Sequence, residues 1–412
     1  MNRPYGRPSC GSIEEMMMTG GALSGLKVID CTRVLGGPFC SQWLGDHGAE
    51  VIKIEPPQGD ETRGWGPPFK DGASSYFIGV NRSKRGIALD LRQPEGREVL
   101  HRLLAEADIL IENFKTGTLE KWGIGYDTLS ARYPRLIHAR LSGFGADGPL
   151  GGLPGYDAIV QAQAGLMSVN GARGDGPLRI GVPLVDIATG MSLAFGIMAA
   201  AFERQTSGRG QFVEASLYDV ACSLLFPHSA NYFLSGTVAG RSGNQHANVV
   251  PYDMFDCGTD RIFIGCGNDG QWRKLCAILG DPDFAAEPDY SSNADRLANI
   301  GAMRARLVAL LAPHDANAIT RTLMEAGVPA GRVNTVEDVF KAAHTLHRDM
   351  LVEIGDYKGA GNPVKLSRTP AQFDRTPPRF GQDTRAVLSN IGYTSAQIDA
   401  MLTAGAAVAA EP

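Results

Sequence analysis

Asp186 is the residue whose surroundings hold the most chemistry. In Gly181-Val-Pro-Leu-Val-Asp-Ile-Ala-Thr-Gly190 it stands between an apolar, strand-like run and the start of a helix of small residues. Two roles compete for it. Aspartate is a favoured N-cap that satisfies first-turn N–H groups. The same place suits a carboxylate nucleophile, because a helix N-terminus keeps an anion ionised and its N–H groups can hold a developing oxyanion. The small neighbours Ala188 and Gly190 leave room for a substrate.

Other patterns carry less. Gly265-x-Gly267-x-x-Gly270 follows a strand-like run and opens a helical one, the context of a dinucleotide fingerprint. No second strand ending in Asp or Glu follows about twenty residues on. The first βα turn, Asp30 to Pro38, does precede an acidic strand end at Glu55 but lacks the G-x-G-x-x-G fingerprint. Nicotinamide chemistry is therefore disfavoured. His246, in Gly243-Asn-Gln-His-Ala-Asn248, is a candidate for touching substrate, whereas His344 and His347 read as solvated helix positions. No GxSxG elbow and no HExxH occurs. The seven cysteines (Cys10, Cys31, Cys40, Cys222, Cys257, Cys266, Cys276) are odd in number and scattered, with no CxxC pair. No metal site is expected, and a reducing, cytoplasmic compartment fits.

The elements that must position Asp186 alternate between strand and helix. Leu26–Asp30, Ala49–Glu55, Gly86–Leu91, Asp108–Glu112, Leu136–Leu141 and Gln211–Ala215 read as strands, separated by helical patterns such as 38–46 and 94–105. Such alternation implies an α/β fold with a mostly parallel, doubly wound sheet. A long small-residue helix spans 187–204. Past about Phe226 the composition changes. Residues 226–252 read as loop, and a fresh βα pattern (261–265, 271–279) marks a second, smaller α/β domain. Near the C-terminus a Pro- and Arg-rich linker leads to two short helices, with Thr394-x-x-Gln397 as a capping box.

At about 150 residues per domain, 412 residues imply two or three domains. With 39 basic against 44 acidic residues, the formal charge is -5, and the basic excess of a nucleic-acid binder is missing. Glycine (51) and proline (24) stay below the level of low-complexity disorder. The most apolar run, Met191 to Phe202, is about twelve residues against the roughly twenty needed to cross a bilayer, so no membrane span is expected. Residues 1–22 lack an apolar h-region and read as an extension outside the fold.

Beyond residue 22 the chain resembles the class III CoA-transferase, or CaiB/BaiF, family. The likeness rests on Leu23-Ser-Gly-Leu-Lys-Val-Ile-Asp30, Arg33-Val-Leu-Gly-Gly-Pro38, Gly48-Ala-Glu-Val-Ile-Lys-Ile-Glu55, Asn81-Arg-Ser-Lys-Arg85, Glu112-Asn-Phe114, Ser142-Gly-Phe-Gly145, Gly155-Tyr-Asp157, Val185-Asp186 with Thr189-Gly190, and Ser207-Gly-Arg-Gly-Gln211. Thr62-Arg-Gly-Trp-Gly-Pro-Pro68, His228-Ser-Ala-Asn-Tyr232 and Val250-Pro-Tyr252 extend it toward succinyl-CoA-dependent transferases for glutarate-like dicarboxylates.

The resemblance implies a Rossmann-like large domain built from both chain ends, a small middle domain and an interlocked homodimer. The matching boundaries are 23–225 and 346–412 for the large domain and 226–345 for the small one. It also implies that Asp186 attacks an acyl-CoA thioester and carries CoA to a small carboxylic acid through a covalent aspartyl species. A carboxylate with an ordinary pKa near 4 is already ionised at neutral pH, so no base, metal or permanently bound cofactor is called for. CoA contacts carry over to Val34, Leu35, Leu89, Arg92, Asn113, Phe114, Lys121, Tyr156 and Asp157. Pro56 stands where some members have a basic residue near the adenosine, and Gly243–Asn248 stands where formyl-CoA transferases carry a run of glycines. Related racemases place a His where this chain has Tyr156, and a phenol is a poor substitute for imidazole in two-way proton transfer. Racemisation and a catalytically silent CoA-binding homologue remain the alternatives. Arg33 and Arg63, with His246 behind them, are the candidates for pairing with an acceptor's second carboxylate.

Overall fold

A computed structural model describes residues 20–246 and 248–411. The reading of residues 1–22 as an extension falls, up to residue 19, outside the described residues. Gly21 is already buried, against the backbone of His47, so the packed chain includes the last of that stretch.

The apolar runs form one large sheet. Its six parallel strands are β1 (Lys27–Cys31), β2 (Glu50–Glu55), β3 (Lys84–Leu89), β4 (Ile109–Glu112), β5 (Ile137–Ser142) and β6 (Phe212–Ser216). They lie in the order β3-β2-β1-β4-β5-β6, and a short C-terminal strand, Ala407–Val408, adds antiparallel to β3. Val28 and Ile29, like Ile109 and Leu110, are neighbours in a strand that point to opposite faces, and all four are buried, as a sheet covered by helices on both sides requires. Chain order reverses between β1 and β4. Such a switch point opens a crevice at the carboxyl ends of the strands.

Two helices shape that crevice, α1 (Gly36–Asp46) and, beyond the shorter α2 (Asp157–Gln163), the 24-residue α3 (Leu184–Ser207). Over its 24 residues α3 is long and apolar enough to cross a membrane by length and composition alone, a test that the core helix of a folded domain also passes. Its Val185, Thr189, Leu193, Ile197, Ala201 and Arg204 are buried, and the helix packs on α1, β5 and β6. Met191, Phe195 and Phe202 on its other side are exposed.

The Asn81-Arg-Ser-Lys-Arg85 motif has a structural role. Arg82 grips Asp46 at the end of α1 through two bonds (2.9 and 2.7 Å), and Lys84 reaches Asp30 under the sheet's crest (3.1 Å).

The chain divides into two units. Among the described residues, one comprises 20–164, Gly181–Phe226 and 347–411, and the other Gly165–Ile180 and Pro227–Leu346. Residues 165–180, expected in the large part, group with the smaller unit. That unit is built on a three-stranded sheet, Ala330–Arg332, Asp260–Gly265 and Tyr252–Cys257, whose neighbours are all antiparallel. The Gly265-x-Gly267-x-x-Gly270 turn therefore lacks the parallel βαβ setting of a dinucleotide site. Residues 226–252, expected as loop, contain the helix His228–Ser235. In the C-terminal segment the Thr394 and Gln397 capping box opens the helix Ser395–Thr403.

Candidate active site

Loops from the carboxyl ends of β1, β4 and β5, with the first turn of α3, enclose a cleft of about 270 Å³ in the larger unit. Its walls include Arg33, Val34, Leu35, Asn113, Phe114, Tyr156 and Asp186.

Asp186 is the third residue of α3 and not its cap. The helix starts at Leu184, and Pro183 before it offers no side-chain bond. Asp157 does the capping instead. Its Oδ2 accepts the N–H groups of Val185 (2.8 Å) and Asp186 (3.1 Å), while Oδ1 accepts Gln161 Nε2 (2.6 Å). The anion stabilised by the α3 dipole is thus Asp157. Those two N–H groups are not available for the oxyanion role expected of them.

The Asp186 side chain is left almost bare. The residue is 8% exposed, and among the described residues its carboxylate accepts no hydrogen bond. Burial first, and the charge of Asp157 second, push its pKa up to about 7, well above the value near 4 expected for it. An ionised carboxylate without donors keeps its lone pairs free for attack.

Glycine keeps the space beside it open. A side-chain carbon on Gly36 would lie 2.9 Å from Leu141 Cδ1 and 3.5 Å from Asp186 Oδ1, and one on Gly190 would meet the Gly36 carbonyl at 2.5 Å. The backbones of α1 and α3 are therefore in near contact where they cross.

The loop after β1 is clasped to the loop after β4 across the switch point. The Arg33 N–H donates to Asn113 Oδ1 (2.9 Å), and Asn113 Nδ2 donates to the Arg33 carbonyl (2.8 Å). Next to the clasp, Val34 has φ 70°, a left-handed conformation that costs a β-branched residue on the order of 1–3 kcal/mol. Buried charge underlies the strained loop. Lys53 donates to the Thr32 carbonyl (2.7 Å) and Asp60 (3.2 Å), and the Thr32 N–H donates to Asp30 (2.9 Å). Burial opposes the charge on Asp30, but Lys84 and Lys53 hold its pKa down at about 2. On the β4 side, Glu112 accepts the Phe114 N–H (2.8 Å) and pairs with Arg140.

A second cleft, of about 200 Å³, shares Arg33 and Phe114 with the first and continues over the ends of β2 and β3. Leu89, Arg92 and Trp122 line it. Asp90 holds the Arg92 guanidinium by two bonds (2.8 and 2.9 Å). Lys121 is exposed and lines neither cleft.

Two of the proposed carboxylate anchors lie elsewhere. Arg63 binds both oxygens of Glu55 (2.8 and 2.7 Å) and the Pro378 carbonyl (3.0 Å), stacks on Phe77, and lies outside the Asp186 cleft. Its Nε and Nη2 are taken up by the fold. His246 belongs to the smaller unit, where its Nδ1 accepts the Asn248 N–H (3.0 Å) and its ring leans on Tyr252.

Two residues near the site escaped the sequence reading. Glu61 lines the cleft and accepts from Arg33 Nη1 (2.8 Å). Tyr76, edge-on to Trp65 with ring centres 5.3 Å apart, has its pKa pushed up to about 12 by burial and by the charges of Asp186 and Asp157. Both depend on contacts between distant segments, which no local pattern reveals. Among the described residues no three His, Cys, Asp or Glu side chains gather as a metal site.

Residues 23–384 match the family model described as CoA-transferase family III. The chain belongs to this family. Succinyl-CoA:glutarate CoA-transferase of Mus musculus is 36% identical over 93% of this chain and 89% of its own length. Succinate–glutarate CoA-transferase of Agrobacterium fabrum is 37% identical over 90% and 95%. The crystal structure of a CaiB/BaiF family protein from Brucella suis superposes with a TM-score of 0.83 at 38% identity, covering 90% of this chain and all of that one. As a family III CoA-transferase, the chain is an enzyme whose substrates are CoA thioesters.

Proposed function

We propose that this CoA-transferase moves CoA from succinyl-CoA to a glutarate-like dicarboxylic acid through a covalent intermediate on Asp186. The observation that carries the reading is the bare, buried Asp186 carboxylate in a cleft at the sheet's switch point. The names of the mouse and Agrobacterium relatives supply the acids.

Ionised Asp186 attacks the thioester carbonyl; the C–S bond breaks and CoA thiolate leaves a mixed anhydride. The thiolate then attacks the aspartyl carbonyl, releasing succinate and forming an aspartyl-CoA thioester. The acceptor carboxylate displaces the thiolate from that thioester, giving a second anhydride. Attack of the thiolate on the acceptor's acyl carbon yields the new acyl-CoA and restores the Asp186 carboxylate. Once Asp186 is ionised, no further proton need be moved in any of these steps.

The acyl-CoA lies with its thioester between Asp186 and Tyr156, passes Val34, Leu35 and the Arg33–Phe114 wall, and sets its nucleotide in the second cleft near Leu89 and Arg92. Arg33 uses only Nη1 on Glu61, so its Nε and Nη2 can take the acceptor's distal carboxylate. The exposed Met191, Phe195 and Phe202 on α3 favour a second copy as cover, in keeping with a homodimer. The free thiols suit a cytoplasmic location.

Purified protein given succinyl-CoA and a panel of mono- and dicarboxylates, read by mass spectrometry, tests the proposal. Glutaryl-CoA with release of succinate is expected. CoA exchange with no acid would make the chain a silent homologue, and exchange with monocarboxylates alone would remove the dicarboxylate reading.

A further inference from the structure

The charges of the Asp186 cleft are already balanced before any acceptor enters. Its walls carry the cations Arg33 and Lys115 against the carboxylates Glu61 and Asp186, and Asp157 caps the helix just behind. When the acceptor enters, Asp186 is tied up in the aspartyl-CoA thioester and carries no charge, so Glu61 is the carboxylate of the wall that still competes for its cations. Asp157 is buried and fixed as the cap of α3. Glu61 differs, because its side chain is 34% exposed while its backbone is pinned. Asp60 caps the short helix Glu61–Gly64 through Thr62 (3.0 Å), and the Asp60 N–H is held by Glu55 (2.9 Å), itself locked to Arg63. The Glu61 carboxylate can therefore rotate off Arg33 without moving the loop. It holds the guanidinium by a single bond to Nη1.

We infer that Glu61 is a built-in competitor for Arg33 and sets the selectivity between dicarboxylate and monocarboxylate acceptors. The inference rests on the reading of Arg33 as the distal-carboxylate anchor. In the empty site Glu61 neutralises the guanidinium. A dicarboxylate must share or displace it, and so meets a repulsion that a monocarboxylate, which leaves the pair intact, does not.

The test measures acceptor KM for glutarate and for butyrate, with succinyl-CoA as donor, in wild type, Glu61→Gln, Glu61→Ala, Arg33→Met and the double variant E61Q/R33M. Losing the competing charge should lower the glutarate-to-butyrate KM ratio by about two- to fivefold, a size set by a partly exposed ion pair. E61A, which cannot accept from Arg33 at all, should lower it at least as much, and stands in if E61Q does not fold. In the Arg33→Met background E61Q should no longer move the ratio, because its effect acts through that guanidinium. A ratio that rises in E61Q overturns the inference and makes Glu61 an orienting partner of Arg33. A ratio unmoved by E61Q and E61A, while R33M raises it, overturns the role of Glu61 alone. An R33M ratio equal to wild type overturns the Arg33 anchor and the inference with it.

Discussion

Asp157 Oδ2 lies 3.1 Å from the backbone nitrogen of Asp186, so one carboxylate caps the helix that carries the other. The contact fixes the position of the nucleophile through its backbone and leaves its side chain untouched. It also places a negative charge behind that side chain, which helps to hold the Asp186 pKa at about 7.

A pH dependence follows. Only ionised Asp186 can attack, so kcat/KM for succinyl-CoA should rise with pH and level off above about 7. Asp157→Asn keeps an oxygen for the cap and removes the charge, and should move that limb down by roughly half to one pH unit. Asp157→Ala also loses the cap and should cost about 1–2 kcal/mol of stability. Rate profiles and thermal melts of both variants check this; a limb that D157N leaves in place would show that burial alone sets the pKa.

Stability gives an independent view of the same group. A carboxyl whose pKa is raised on folding binds its proton more tightly in the folded state. Its contribution is complete below the ordinary value near 4 and is lost as pH rises through about 7. Asp186→Asn, which cannot ionise, should therefore be more stable than wild type at pH 8, by at most about 4 kcal/mol, and the gain should vanish near pH 4. Denaturant unfolding at the two pH values decides it, and a gain that does not change with pH would contradict the shifted pKa.

The strand alternation and turn residues were enough to read the parallel sheet, because each of those signals is local. The position of Asp186 at the head of a helix was readable for the same reason. Its cap was not, since Asp157 arrives from 29 residues away in sequence. Leu184 and Val185 look like strand residues by type yet form the first turn of α3 once Asp157 takes the free N–H groups. Arg63 and Arg33 look alike in sequence, each in a loop after a strand. Only packing shows that Glu55 consumes one fork and leaves the other partly free. The long helix spanning 187–204 was legible from its small residues, and α3 begins three residues earlier because the Asp157 cap recruits Leu184 and Val185 into its first turn.

The clasp across the switch point should control CoA binding. Asn113→Ala removes both bonds to the Arg33 backbone and leaves the strained Val34 turn without that support. We expect KM for succinyl-CoA to rise about tenfold, with a smaller loss in kcat, since the clasp shapes the binding loop and does not touch the reacting bond. Initial rates at varied donor concentration test this, and an unchanged KM would sink it.

Close helix contact should be equally sensitive. A methyl group at Gly190 would come 2.5 Å from the Gly36 carbonyl, so Gly190→Ala must push α1 and α3 apart. A loss of about 1–3 kcal/mol is expected, as for other overpacked sites. Thermal unfolding of G190A at full stability would contradict the observed crossing.

The central claim is that CoA passes through Asp186, and trapping the intermediate tests it most directly. Wild-type enzyme is mixed with succinyl-CoA without acceptor, quenched with hydroxylamine, digested and analysed by mass spectrometry. The account predicts a hydroxamate on Asp186, absent from D186N. A modification confined to the exposed Cys222 thiol, or an unmodified Asp186 peptide in enzyme that turns over normally, would contradict it.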